Sequence, residues 1–135
     1  MGIAVRDLEA SIAFYSTTFG LTLAAQETNA EQGVREAMLY VADAPGGFGS
    51  YVQLLEPLTD DSPVGRFLAT RGEGVHHIGY GVDDVAASLV TLRGAGVRLV
   101  DERPRHGSMG AAIAFLHPKS VGGVLTELVQ AASAR

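Results

Sequence analysis

The chain is written twice. Val5-Arg6-Asp7-Leu8-Glu9-Ala10-Ser11 returns as Val82-Asp83-Asp84-Val85-Ala86-Ala87-Ser88, with Val82 standing 77 positions after Val5. A duplication constrains the fold more than any single motif, because each copy is one supersecondary unit too small to bury a core by itself. In both copies an apolar strand runs into an aspartate and a helix follows. The first helix carries Leu8, Ile12, Tyr15 and Phe19, and the second Val85, Leu89 and Leu92. Steps of three and four put each set on one helical face. Asp7 and Asp84 are suited to accept from the orphan amides of the first turn. Gly20 and Gly96 sit where a left-handed residue would end each helix.

Three strand-like runs follow in each copy: Leu21–Gln26, Glu36–Val41 and Tyr51–Leu55, then Val97–Val100, Ala111–Leu116 and Val124–Val129. Ala37-Met38-Leu39-Tyr40-Val41 aligns with Ala112-Ile113-Ala114-Phe115-Leu116. Gly46, Gly47 and Gly49 punctuate the third connection of the first copy, and Gly122 and Gly123 that of the second. Each copy therefore reads βαβββ. Pro63, at a helix-start position, opens a connecting helix that carries Val64, Phe67 and Leu68 and closes at Gly72. The predicted fold is α+β: two βαβββ modules, residues 1–58 and 74–132, joined by a connector helix over 61–72. The modules are expected to pair into a curved, half-barrel mixed sheet within a single domain.

Composition excludes several functions. The 135 residues include no cysteine, so disulfides and thiolate metal sites are excluded. A formal net charge of −5 argues against nucleic-acid binding, which needs a dense basic face. Arg103, Arg105 and His106 cluster in one loop, and Lys119 is the only lysine. No apolar run approaches a membrane span and no signal peptide is evident, so a cytoplasmic protein without a membrane partner is expected.

Polar residues break the apolar strands at matched places. Tyr51, Gln53 and Leu55 share one strand face, and Leu125, Glu127 and Val129 share another. Gln53 and Glu127 are equivalent in the repeat. His77 stands just inside the first strand of the second copy, and its equivalent in the first copy is the position immediately before Met1. Histidine, glutamine and glutamate all ligate divalent metals, and a mixed nitrogen and oxygen set suits Co, Mn, Ni, Zn or Mg. Gln53, His77 and Glu127 are therefore candidate metal ligands.

The strings Gly74-Val75-His76-His77-Ile78-Gly79-Tyr80-Gly81-Val82-Asp83-Asp84, Glu31-Gln32-Gly33-Val34-Arg35-Glu36, Leu55-Glu56-Pro57-Leu58 and His117-Pro118-Lys119-Ser120 resemble methylmalonyl-CoA epimerases. So does Gly123-Val124-Leu125-Thr126-Glu127-Leu128. These enzymes are metal-dependent members of the vicinal-oxygen-chelate, or glyoxalase-like, superfamily. The resemblance implies a metal held by two histidines, Gln53 and Glu127, of which His77 is the second histidine. It implies a start upstream of Met1 that would supply the first, since the other ligands persist. It also implies an acyl-CoA substrate, a homodimer, and Glu36 and Glu127 as the proton-transfer residues. Met38 and Tyr40 would give Glu36 an apolar wall. Two alternatives of the same fold stand beside this: a metal-free small-molecule binding protein, and a glyoxalase I-like lyase, in which glutamate would replace Gln53. Lys119, Arg103 and Arg105 are candidates for the coenzyme's phosphates.

Overall fold

A computed structural model describes residues 1–41 and 50–133, so the run with Gly46, Gly47 and Gly49 lies outside the described residues. The chain forms two compact units, Met1–His76 and His77–Arg135. The first contains β1 (Gly2–Ala4), α1 (Leu8–Phe19), β2 (Thr22–Asn29), β3 (Val34–Val41), β4 (Ser50–Pro57) and α2 (Pro63–Arg71). Its strands lie in the order β2-β3-β4-β1, with β1 parallel to β4 and the other pairs antiparallel. After β5 (Gly74–Gly81), whose ladder begins at Ile78, come α3 (Val85–Gly94), β6 (Arg105–His106), β7 (Ala112–Leu116) and β8 (Thr126–Gln130). Their order is β5-β8-β7-β6, again with one parallel pair, β5 and β8. The fold is α+β, and the βαβββ module occurs twice with one connectivity. Among the described residues no helix is long and apolar enough to cross a membrane.

The repeat extends to individual hydrogen bonds. Asp7 Oδ1 accepts from Ala10 N, and Asp84 Oδ1 from Ala87 N, both at 3.0 Å. The first amide of each helix is taken by a side chain from the last strand of its module. Leu8 N donates to Glu56 Oε2 at 2.7 Å, and Val85 N to Gln130 Oε1 at 3.0 Å. Each helix thus has two of its four orphan donors satisfied by side chains.

Alternation sorts the strand residues into two faces. On the helix side of the first unit, Val5, Leu8, Ala37, Leu39 and Leu54 are buried together, with Ile12 and Tyr15 packed on them. The same set in the second unit is Val85, Leu89, Ala114, Leu116 and Leu128. This packing corrects the predicted alignment. Ala37 matches Ala114, not Ala112, because Met38 pairs with Gln53 and Phe115 with Glu127. A two-residue slip preserves which face each side chain occupies, so apolar pattern alone does not expose it.

Three further expectations fail. Val97–Val100 forms no strand; Leu99 makes only an isolated bridge to Leu116. Asp101 intervenes, its Oδ2 accepting from Phe115 N at 2.9 Å, and Arg105–His106 instead makes the ladder with β7. Arg105 and His106 are therefore strand residues, with Arg105 3.3 Å from Asp101. Phe19 is 62% exposed, whereas Leu8, Ile12 and Tyr15 pack inward.

Candidate active site

The faces away from α1 and α3 carry the polar exceptions. In the first unit this face bears Gly2 and Ala4 of β1, Gln53 and Leu55 of β4, and Val34, Glu36 and Met38 of β3. Its far end is closed by Val64 and Leu68 of α2, which pack on Ala4, Val34 and Leu55. Glu36 is only 2% exposed. Gln53 Nε2 donates to Glu36 Oε2 at 2.8 Å. Beyond them Tyr40 and Tyr51 meet edge to face, 5.4 Å between centroids.

In the second unit the equivalent face carries Ala111, Ile113 and Phe115 with Leu125 and Val129 around them. Into this apolar set project His77, 3% exposed, and Glu127, 8% exposed. His77 Nε2 lies 3.6 Å from Glu127 Oε1. The His77 ring is seated on Phe115 at an interplanar angle of 89°.

The strand registers make these two arrangements equivalent. Gly2 stands opposite Gln53, and Gly79 opposite Glu127. His77 lies two residues before Gly79, and the matching position two residues before Gly2 precedes Met1. A Cβ at Gly79 would meet Glu127 Oε1 at 3.4 Å, an ordinary contact that places this strand position directly beside the carboxylate.

The donors suit a divalent metal. Two donors each about 2.1 Å from one ion lie about 3.0–4.2 Å apart, and the His77–Glu127 separation falls inside that range. At Gln53 the amide nitrogen points to Glu36, which directs the amide oxygen to the other side of the carboxamide. A separate acidic group, Asp7, Glu9 and Glu56, also brings its carboxylates within 4.8 Å of one another. Its cation is already present. Arg35 pairs with Glu9 and, at 3.0 Å, with Glu56, while Asp7 and Glu56 also cap α1.

Comparison with known proteins gives this geometry a family. The profile of the Glyoxalase/Bleomycin resistance protein/Dioxygenase superfamily matches residues 1–115. A solved methylmalonyl-CoA epimerase, in complex with methylmalonyl-CoA and ammonium, is 54% identical to this chain. Its TM-score is 0.93, over 98% of this chain and 92% of that one. The chain belongs to the methylmalonyl-CoA epimerases of this superfamily. The ethylmalonyl-CoA/methylmalonyl-CoA epimerase of Cereibacter sphaeroides is 36% identical over 96% of this chain and 94% of its own length. The methylmalonyl-CoA epimerase of Streptomyces coelicolor, in complex with 2-nitronate-propionyl-CoA, is 53% identical. Its TM-score is also 0.93, over 98% of this chain and 94% of that one.

Variants of the Streptomyces epimerase were solved with a glutamate, a glutamine or a serine replaced. The intervals between those three residues are those between Glu36, Gln53 and Ser108 in this epimerase-family chain. Sequence reasoning named Glu36 and Gln53 and did not name Ser108. The available signal was Gly107-Ser108-Met109-Gly110, a serine bracketed by glycines outside any strand.

Proposed function

We propose that the chain epimerises methylmalonyl-CoA, interconverting its (R) and (S) isomers. The reacting carbon lies between a thioester and a carboxylate, so its proton is weakly acidic, and removing it builds negative charge on the thioester oxygen. Inversion needs one group to take that proton and another, on the opposite face, to return one. Glu36 serves one face and Glu127 the other. Gln53 holds Glu36 through its amide and so fixes the direction of the carboxylate. A divalent ion held by Gln53, His77 and Glu127 would supply Lewis acidity toward the substrate's oxygens. Phe115 holds the His77 ring at its angle, and the apolar set of Ile113, Leu125 and Val129 keeps water from Glu127.

The observation that carries this reading is a buried glutamate bound to a glutamine at the same chain interval as the pair replaced in the Streptomyces epimerase. The same reading takes the enzyme to be a cytoplasmic homodimer acting on a small acyl-CoA. The test is incubation with methylmalonyl-CoA in heavy water. Deuterium should enter the methine position and the two isomers should equilibrate; a methine that stays fully protonated ends the proposal.

A further inference from the structure

Met109 has the one unusual backbone conformation among the described non-glycine residues. Its φ of 57° and ψ of 33° put it in the left-handed region. Such a conformation persists only where the surroundings dictate it, and it concentrates at sites that hold ligands. The surroundings here are explicit. Gly107 N donates to Ala111 O at 2.9 Å, and Ala111 N to Ser108 O at 3.1 Å, closing the turn at its base. A Cβ at Gly107 would lie 2.6 Å from Ile113 Cγ2, so the turn is pressed directly onto β7. Gly110 continues the left-handed path at φ 72°.

Burial of the Met109 side chain does not explain the strain, since the residue is 41% exposed. What the turn does fix is Ser108, half-buried at its start. Ile113, on which the turn rests, shares the face of Phe115 and Glu127. Ser108 is also the residue whose counterpart by interval was replaced in the ligand-bound Streptomyces epimerase.

We propose that Met109 is a positioning residue. Its left-handed backbone aims the Ser108 hydroxyl so that it donates to an oxygen of the substrate's acyl group, its carboxylate or its thioester carbonyl. The inference rests on the epimerase reading above. It makes backbone conformation the requirement at position 109, not the thioether.

The test compares Met109→Val, Met109→Asn, Met109→Ala and Ser108→Ala in the full chain. A β-branched residue resists the left-handed region and asparagine accepts it. Met109→Val should lose about tenfold to a hundredfold in kcat/KM, the scale of a small misplacement of a contacting group. The loss should fall in the same parameter, kcat or KM, as that of Ser108→Ala. Combining the two substitutions should cost no more than Ser108→Ala alone, because both remove one interaction. Met109→Asn and Met109→Ala should stay near the wild type. Additive losses in the double variant, or Met109→Asn falling as far as Met109→Val, would overturn the proposal. Should Met109→Val fail to fold, Met109→Ala decides, since a loss there assigns the role to the side chain. A wild-type chain that exchanges no methine proton removes the epimerase reading and this one together. An active wild type with a fully active Met109→Val removes this one only.

Discussion

Gln53 reaches Glu36 diagonally across the β3–β4 ladder, its amide nitrogen 2.8 Å from the carboxylate oxygen. Direct partners in this register are Met38 for Gln53 and Leu55 for Glu36, so only long side chains can span the gap. The contact places the amide's donor on the carboxylate of a nearly inaccessible residue, and a buried carboxylate needs such donors.

Glu36→Gln should therefore separate chemistry from structure. The shape is retained and the proton acceptor is lost. Deuterium incorporation into methylmalonyl-CoA should slow by about a hundredfold to ten-thousandfold, the usual worth of a positioned acid or base. The urea-unfolding midpoint should move little. Incorporation at the wild-type rate would take Glu36 out of the mechanism.

Gln53→Leu makes the complementary prediction. It takes one hydrogen-bond donor from a buried carboxylate, which costs about 1–3 kcal/mol. Adding Glu36→Leu should recover part of the loss, because the buried charge is removed together with its donor. Urea denaturation of both single variants and the double variant checks this. Equal stability of Gln53→Leu and wild type would show that the hydrogen bond is not needed to keep Glu36 buried.

Much of this was legible in the residues, for a physical reason. A duplicated module repeats its caps and its strand exceptions, so Asp7 with Asp84 and Gln53 with Glu127 stood out against apolar neighbours. The pairing of Gly2 with Gln53 and Gly79 with Glu127 bears out that equivalence. Other features left weaker signals. Asp101 ends the predicted Val97–Val100 strand through a side-chain bond to Phe115 N, and hydropathy does not register such a bond. The roles of Glu56 and Gln130 depend on a helix amide 48 and 45 residues away. Met109 looks ordinary by residue type; only its backbone is unusual.

The proposed metal site would give a readout separate from turnover. A divalent ion at about a hundred times its dissociation constant stabilises the folded chain by about 2.7 kcal/mol. For a chain of this length that is a rise in Tm of about 5–10 °C, reversed by a chelator. His77→Ala and Glu127→Ala should each abolish the rise. A histidine added directly ahead of Met1 should increase it, since strand register gives that position the place His77 has relative to Gly79. Differential scanning calorimetry with Co²⁺ or Mn²⁺ provides the measurement. A rise that survives His77→Ala would put the ion elsewhere.

The two modules differ in how they hold the first turn of their helix, and the difference predicts a compensation. Arg35 pairs in register with Glu56 and bonds both Glu56 and Glu9. The same register in the second unit pairs Ala112 with Gln130, where a neutral amide does the capping and no arginine is present. Charge at Glu56 thus goes with a cation at Arg35. The Arg35 guanidinium, hydrogen-bonded to Glu9, holds that carboxyl below the usual carboxylate range. A depressed folded-state pKa contributes stability above the unfolded-state value of about 4.3 and loses it as pH falls through the folded-state value. Arg35→Ala should lower the urea midpoint at neutral pH, more at low salt than at high, because three carboxylates then share the first turn of α1 without a cation. Below the carboxylate range wild type and variant should converge. Glu56→Gln added to Arg35→Ala should restore part of the midpoint, since it installs the capping residue the second module uses. If Glu56→Gln lowers the midpoint further, the charge on Glu56 is itself required at the helix start and the two modules are not interchangeable there.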